Sequence, residues 1–139
     1  MATFQNQGPQ DAPPGSAYSP GPQLYDPTLN SQGGGHVPGD NITAHAGGGR
    51  ASATKISGMI NRVTTAATLD DSVALPPAVG GQMIIVCNAG LAAITVYAAV
   101  GTNDTINGVA AATGVNLAVA TTAMFCSSTA GVWFWIKSS

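Results

Sequence analysis

Few residues in this 139-residue chain could do acid–base, nucleophilic or metal chemistry, and their spacing argues against most of it. His36 and His45 flank Asp40, but a zinc site needs three or four ligands in a closed shell, and no cysteine lies near them in sequence. Asp70 and Asp71 are adjacent at an expected turn and Asp104 stands alone, so a working pair of carboxylates is hard to build. Asn103–Gly108, NDTING, superficially matches a calcium loop. The twelfth position counted from Asn103 is Gly114, where an EF-hand needs a bidentate Glu, so the segment reads as a turn rich in Asn and Gly. The runs Gly33–Gly35 and Gly47–Gly49 have no following Lys-Ser/Thr pair and no strand-to-helix context, and read as joints. Trp133, Trp135 and Tyr97 are aromatics of the kind that stack on sugars. Cys87 and Cys126 fall inside expected strands and read as buried thiols acting as small hydrophobes; a disulfide requires those strands to be neighbours. These residues describe a protein that is not an enzyme and that uses no cofactor and no metal.

Charge narrows the remaining classes. Charged residues make up 7% of the chain, against about 25% in ordinary soluble domains. Glu is absent, and after Asp71 only Asp104 and Lys137 carry charge. Four basic residues against six acidic ones leave no footprint for nucleic acid. No signal peptide is visible at the N-terminus. The longest apolar-leaning stretch, Gly108–Phe125, is broken by Thr113, Asn116, Thr121 and Thr122, so no membrane span is expected. A surface of Thr, Ser, Asn, Ala and Gly carries little repulsion to keep copies apart, and suits a protein whose surface is largely used for contacts.

Two segments must position whatever this chain binds. Residues 1–54 hold seven of the nine prolines and ten of the eighteen glycines, and no helical or strand period survives there. They are expected to form an extended Pro/Gly-rich arm, with Phe4, Tyr18, Leu24, Tyr25, Leu29, Val37 and Ile42 as spaced anchors for a partner groove. Ordering such a backbone costs about 1–2 kcal/mol per residue, which a partner surface must offset. Residues 55–139 are expected to form a β domain. Strands are expected over Ser57–Ala66, Ser72–Leu75, Gln82–Asn88, Ala93–Ala99, Thr105–Asn107, Val115–Val119, Thr121–Ser127 and Val132–Lys137, separated by turn residues such as Pro76–Pro77, Gly80–Gly81 and Ala130–Gly131. Seven to eight short strands at this spacing predict an all-β fold, a small jelly-roll-like sandwich or barrel.

Within that domain Gly81–Gly108 reads as a hairpin, with Met83, Ile85 and Cys87 alternating with Ile84, Val86 and Asn88. Both faces of its first strand are apolar, whereas a strand on a half-wet sheet shows one polar face. In Val132–Lys137, VWFWIK, Val132, Phe134 and Ile136 face one way and Trp133 and Trp135 the other. A domain of this size is marginal alone. Self-association is therefore expected, with Ile84, Val86, Trp133 and Trp135 assigned to the layer between copies.

Four pieces carry a resemblance: DDSVALPPAVGG, a strand ending VCNAG, VYAAVGTNDTINGVAA, and TAMFCSSTAGVWFWIK. In this order, over roughly Thr65–Lys137, they resemble a small domain of tailed-bacteriophage virion proteins, namely capsid decoration (cement) proteins and head-fibre-like proteins. The resemblance implies a homotrimer on the outer capsid surface of a virion assembled in the host cytoplasm. Its partners would be the major capsid protein and itself, with the arm lying across neighbouring capsid subunits and stabilising the head. A head or tail fibre component, or a carbohydrate-binding module, is the alternative.

Overall fold

The chain divides after His36, and the computed structural model describes residues 38–139. Of the arm anchors, Phe4, Tyr18, Leu24, Tyr25, Leu29 and Val37 lie outside the described residues. Ten strands follow one another among those described: β1 Pro38–Thr43, β2 Thr54–Lys55, β3 Ile60–Thr65, β4 Asp71–Ala74, β5 Gln82–Asn88, β6 Ile94–Tyr97, β7 Thr105–Ile106, β8 Val115–Leu117, β9 Thr122–Thr129 and β10 Val132–Lys137. One 3₁₀ turn, Arg50–Ser52, precedes β2. Residues 38–54, grouped with the arm by composition, contribute β1 and the first residue of β2.

The strands are laid down by winding. β1, β3 and β5 lie side by side and parallel in one sheet, and β2, β4 and β6 do the same in the other. The chain thus alternates between two sheets, returning to each after 19 residues at Thr54–Val73 and after 25 at Ile60–Ile85. This is a short two-sheet β-solenoid. Its C-terminal end is closed by antiparallel pieces: β8 on β6, β9 on β5, and β10 folded back on β9, with β7 parallel beside β10. The large sheet runs β1-β3-β5-β9-β10-β7 and the small one β2-β4-β6-β8.

The all-β class agrees with the turn spacing, but the jelly-roll-like sandwich or barrel does not. From β1 to β6 sequential strands sit in opposite sheets and pair with the strand one coil away, which a meander or Greek key does not do. For the same reason Gly81–Gly108 is not a hairpin. β5 belongs to the large sheet and β6 to the small one, and Asn88–Ala92 is a corner between them. Asn88 builds that corner. Its Nδ2 donates to the carbonyls of Ala92 (2.9 Å), Leu117 (3.0 Å) and Ala118 (3.1 Å), and its Oδ1 accepts from the Gly90 N–H (3.0 Å). The local hairpin in this region of the chain is β9–β10, turning at Ala130–Gly131, where Gly131 takes φ +82°.

The core lies between the sheets. Val63, Val73, Val86, Ile94, Val96, Leu117, Phe125 and Trp133 are fully buried there, each contributing about 1.5–3 kcal/mol relative to an exposed side chain. Polar groups hold the corners. Asp104 accepts the Ala78 N–H at 2.8 Å. Arg50 donates to the carbonyls of Ala98, Ala99 and Thr102, tying the turn before β2 to the loop after β6. Asn107 takes φ +48° and its side-chain amide bonds both the N–H and the carbonyl of Trp135, so it occupies the edge of β10 where β7 stops.

Candidate functional site

The two sheets present opposite surfaces to solvent. On the small sheet the side away from the core carries Thr95 and Tyr97 of β6, Asn116 of β8 and Lys55 of β2, a polar set, with Ser72 and Ala74 of β4 on the same side but fully buried. On the large sheet two central rows are apolar, while Arg62, Thr64 and Thr122 lie on the same side toward one end. Cα pairing aligns Ile60 of β3, Ile85 of β5, Met124 of β9 and Ile136 of β10 in one row across four strands, with Pro38 of β1 beside Ile60. A second row sets Met83 beside Cys126 and Cys126 beside Phe134. Within these rows Ile60 is 43% exposed, Met83 39%, Phe134 48% and Ile136 65%. Scattered single apolar residues on a surface are ordinary; contiguous rows of them mark an interaction site.

Charge on this face is confined to one corner and cancels there. Arg62 of β3 points outward beside Asp40 of β1, and the pair meets through two hydrogen bonds, Nε to Oδ1 at 2.7 Å and Nη2 to Oδ2 at 3.2 Å. The Arg62 hydrogen bond, helped by the Asn41 N–H, holds the Asp40 carboxyl below the usual carboxylate range. Both side chains are more than half exposed, so the pair contributes little to stability. Its effect is to leave the face locally neutral.

The residues assigned to the layer between copies are placed differently. Ile84, Val86 and Trp133 are buried in the chain's own core, and Trp135 is half-buried at the end of that core, its ring stacked on Phe125 at 5.7 Å and 11°. The inference of two apolar faces is sound, but the faces are exchanged: the solvent side carries Met83, Ile85, Phe134 and Ile136. Ile42 also packs against the core from β1. The cysteines depart from the buried reading, since Cys87 is half-buried and Cys126 exposed, both on the outward face. Their strands are neighbours, but Cys87 pairs with Thr122 and Cys126 with Met83, so the thiols are offset along the ladder and both are free.

The remaining candidates resolve into structural roles. Asp71 is buried at the start of β4, accepting from the Thr68 hydroxyl (2.5 Å) and from the N–H groups of Ala67, Thr68 and Gly47. Asn107 and Gly108 take left-handed backbone, as the turn reading of NDTING requires. His45 pairs through its backbone with Ser72, and His36 lies outside the described residues. Trp133 is fully buried, so Trp133, Trp135 and Tyr97 share no exposed platform for a sugar. Among the described residues no cluster of three or more His, Cys, Asp or Glu side chains could hold a metal ion, and no helix is long and apolar enough to cross a membrane. The arrangement offers contact, through the apolar rows on the outward face of the large sheet. Comparison of the chain with family models, with curated proteins and with solved structures finds no match.

Proposed function

We propose that this chain is a non-catalytic structural protein of a virus particle, a capsid decoration protein that binds the lattice of the major capsid protein and stabilises the head. One observation carries the reading. A charge-poor β-solenoid, whose polar side chains are used at its corners, is preceded in the chain by a Pro/Gly-rich segment with spaced anchors at Phe4, Tyr18, Leu24, Tyr25 and Leu29. Such a segment suits docking along a groove, because proline lowers the entropy lost on binding. On a repeating shell many such segments act together, so each contact can be weak. The resemblance of Thr65–Lys137 to phage virion domains supports the same reading.

The test is where the chain sits and in what number. Particles released from cells that carry the gene are purified, and the chain is quantified against the major capsid protein. The expected result is a copy number in simple proportion to the shell lattice, with loss of heat resistance when the gene is deleted. A second arm replaces Phe4, Tyr18 and Tyr25 by Ser in the full chain. Binding to empty shells should fall by at least ten-fold while the far-ultraviolet spectrum stays the same. A few copies at the tail, together with an adsorption defect and heat-stable heads, would replace this reading with the fibre one.

A further inference from the structure

We infer that the outward face of the large sheet is covered by the same face of a second copy of this chain. The shell reading is not needed for this; the argument rests on the face alone. The first element is its composition. The row Ile60–Ile85–Met124–Ile136 and the row Met83–Cys126–Phe134 run across the central strands, whereas the outer face of the small sheet is polar. No large hydrophobic side chain is exposed on the strands of the small sheet, whereas Ile60, Met83, Phe134 and Ile136 are exposed on the large one.

The second element is electrostatic. A face built for a different protein usually displays charges complementary to that partner. Here the charged residues on the face, Arg62 and Asp40, are spent on each other. No net charge is left to select an unlike partner, and none to repel a like one. The chain's formal net charge of −2 adds little long-range repulsion between copies.

The third element is size and shape. Five strands at about 4.8 Å, with about six residues each at about 3.3 Å, give a footprint near 24 by 20 Å, or roughly 480 Å² in projection, to which the two-residue β7 adds little. Side chains standing on the sheet raise the accessible area above that figure, toward the roughly 800 Å² per partner of a standard stable interface. Two sheets packed face to face at about 10 Å interdigitate such rows, as the sheets of a sandwich do. A two-fold axis through the face places row against row, so one surface serves both copies.

The experiment measures the mass of the full chain in solution from about 1 to about 100 μM by light scattering and sedimentation, and the reactivity of Cys126 over the same range. The expected result is a two-copy mass, with Cys126 labelling by a thiol reagent slowed at least ten-fold on association. The double variant Phe134→Lys, Ile136→Lys should be a single-copy species with a wild-type far-ultraviolet spectrum and fast Cys126 labelling. Leu91→Lys, which removes a 91% exposed apolar side chain in the β5–β6 corner, should leave the mass unchanged. Should the double variant fail to fold, Met83→Gln and the concentration dependence of wild-type Cys126 labelling give the same readout. A single-copy wild type overturns the inference, including one in which Cys126 is shielded, because another segment would then hold the face. Association that survives Phe134→Lys, Ile136→Lys overturns it as well.

Discussion

Replacing Asn88 by Ala tests whether the corner between the two sheets is held by one side chain. Asn88 is 2% exposed and serves four backbone groups: the carbonyls of Ala92, Leu117 and Ala118 and the N–H of Gly90. Its two amide hydrogens are shared among three carbonyls, so the site counts as about three full hydrogen bonds. Alanine returns the outer carbonyls to water at little cost. The bonds to the Leu117 carbonyl and the Gly90 N–H are buried, and each group left without a partner costs about 1–3 kcal/mol. The expected loss is about 3–5 kcal/mol, a large share of the roughly 5–15 kcal/mol that holds a domain folded. At this chain length the midpoint of thermal unfolding should drop by roughly 10–17 °C. Urea unfolding followed by tryptophan fluorescence at fixed protein concentration reads the loss, and an unchanged slope shows that the unfolded state is not what moved. Asn116→Ala, on the exposed side of β8, should stay within about 0.5 kcal/mol of wild type. A loss below about 1 kcal/mol for Asn88→Ala, or an equal loss for Asn116→Ala, would refute the reasoning.

Four further substitutions probe the remaining joints. Gly114 has φ +65°, and a Cβ there would lie 2.9 Å from the Val96 carbonyl oxygen and 2.8 Å from Thr95 Cγ2; Gly114→Ala should cost about 2–4 kcal/mol. Gly101→Ala, at φ +82° but with no neighbour within 4 Å, should cost about 1–2 kcal/mol, and equal losses would remove the steric argument. Arg50→Lys keeps the charge but loses the fork that binds the Ala98, Ala99 and Thr102 carbonyls; a loss of about 1.5–3 kcal/mol, with faster amide exchange in residues 99–104, is expected. For Asp71 the Thr68 hydroxyl, and then the Thr68, Ala67 and Gly47 N–H groups, hold the carboxyl below its ordinary value against the opposing effect of burial. The folded pKa is therefore below the unfolded one, and the contribution is fully present above about pH 4 and lost as pH falls through the folded value. Asp71→Asn should flatten the acid limb of the stability curve, and an unchanged limb would contradict the assignment.

The strands themselves were legible. All eight expected runs overlap β3 to β10, because β-branched and aromatic residues between Gly, Pro and Asn turns mark a strand whatever it pairs with. β1 and β2 were not. Pro38–Thr43, PGDNIT, has the composition of the arm, and its strand conformation comes from lying beside β3, with a bulge that places Asn41 at φ +56°. The winding was also hidden. Parallel pairing joins residues 19 to 25 apart through corners that use ordinary turn residues, so Asn88–Ala92 looks the same whether the chain doubles back or crosses to another sheet. The coils share no repeated motif that would announce a period. The difference lies in where the Asn88 side chain finds its partners, and Leu117 and Ala118 are distant in sequence.

Which face of a two-sided strand points inward is the harder inference, and here the side assigned to the layer between copies is the one that lies in the chain's own core. Alternation in β5 and β10 separates Ile84 and Val86 from Met83 and Ile85, and Trp133 from Phe134, but hydrophobicity cannot rank the two sets. A discriminating residue sits one strand away. Arg62 cannot be buried unpaired without a large penalty, so the side of β3 that carries it must face out, and Ile60 shares that side. Pairing of Ile60 with Ile85, Ile85 with Met124, and Met124 with Ile136 then carries the outward assignment across three more strands. The polar residue for the opposite side is Asn61, fully buried yet satisfied, its Nδ2 donating to the Gly58 carbonyl and its Oδ1 accepting the Gly58 N–H. One arginine and one asparagine thus orient the large sheet, and Ile60, Met83, Phe134 and Ile136 are left exposed on its outward side. In this sheet the exposed face is the one that looks like a core, and that inversion is the physical reason to expect a second copy against it.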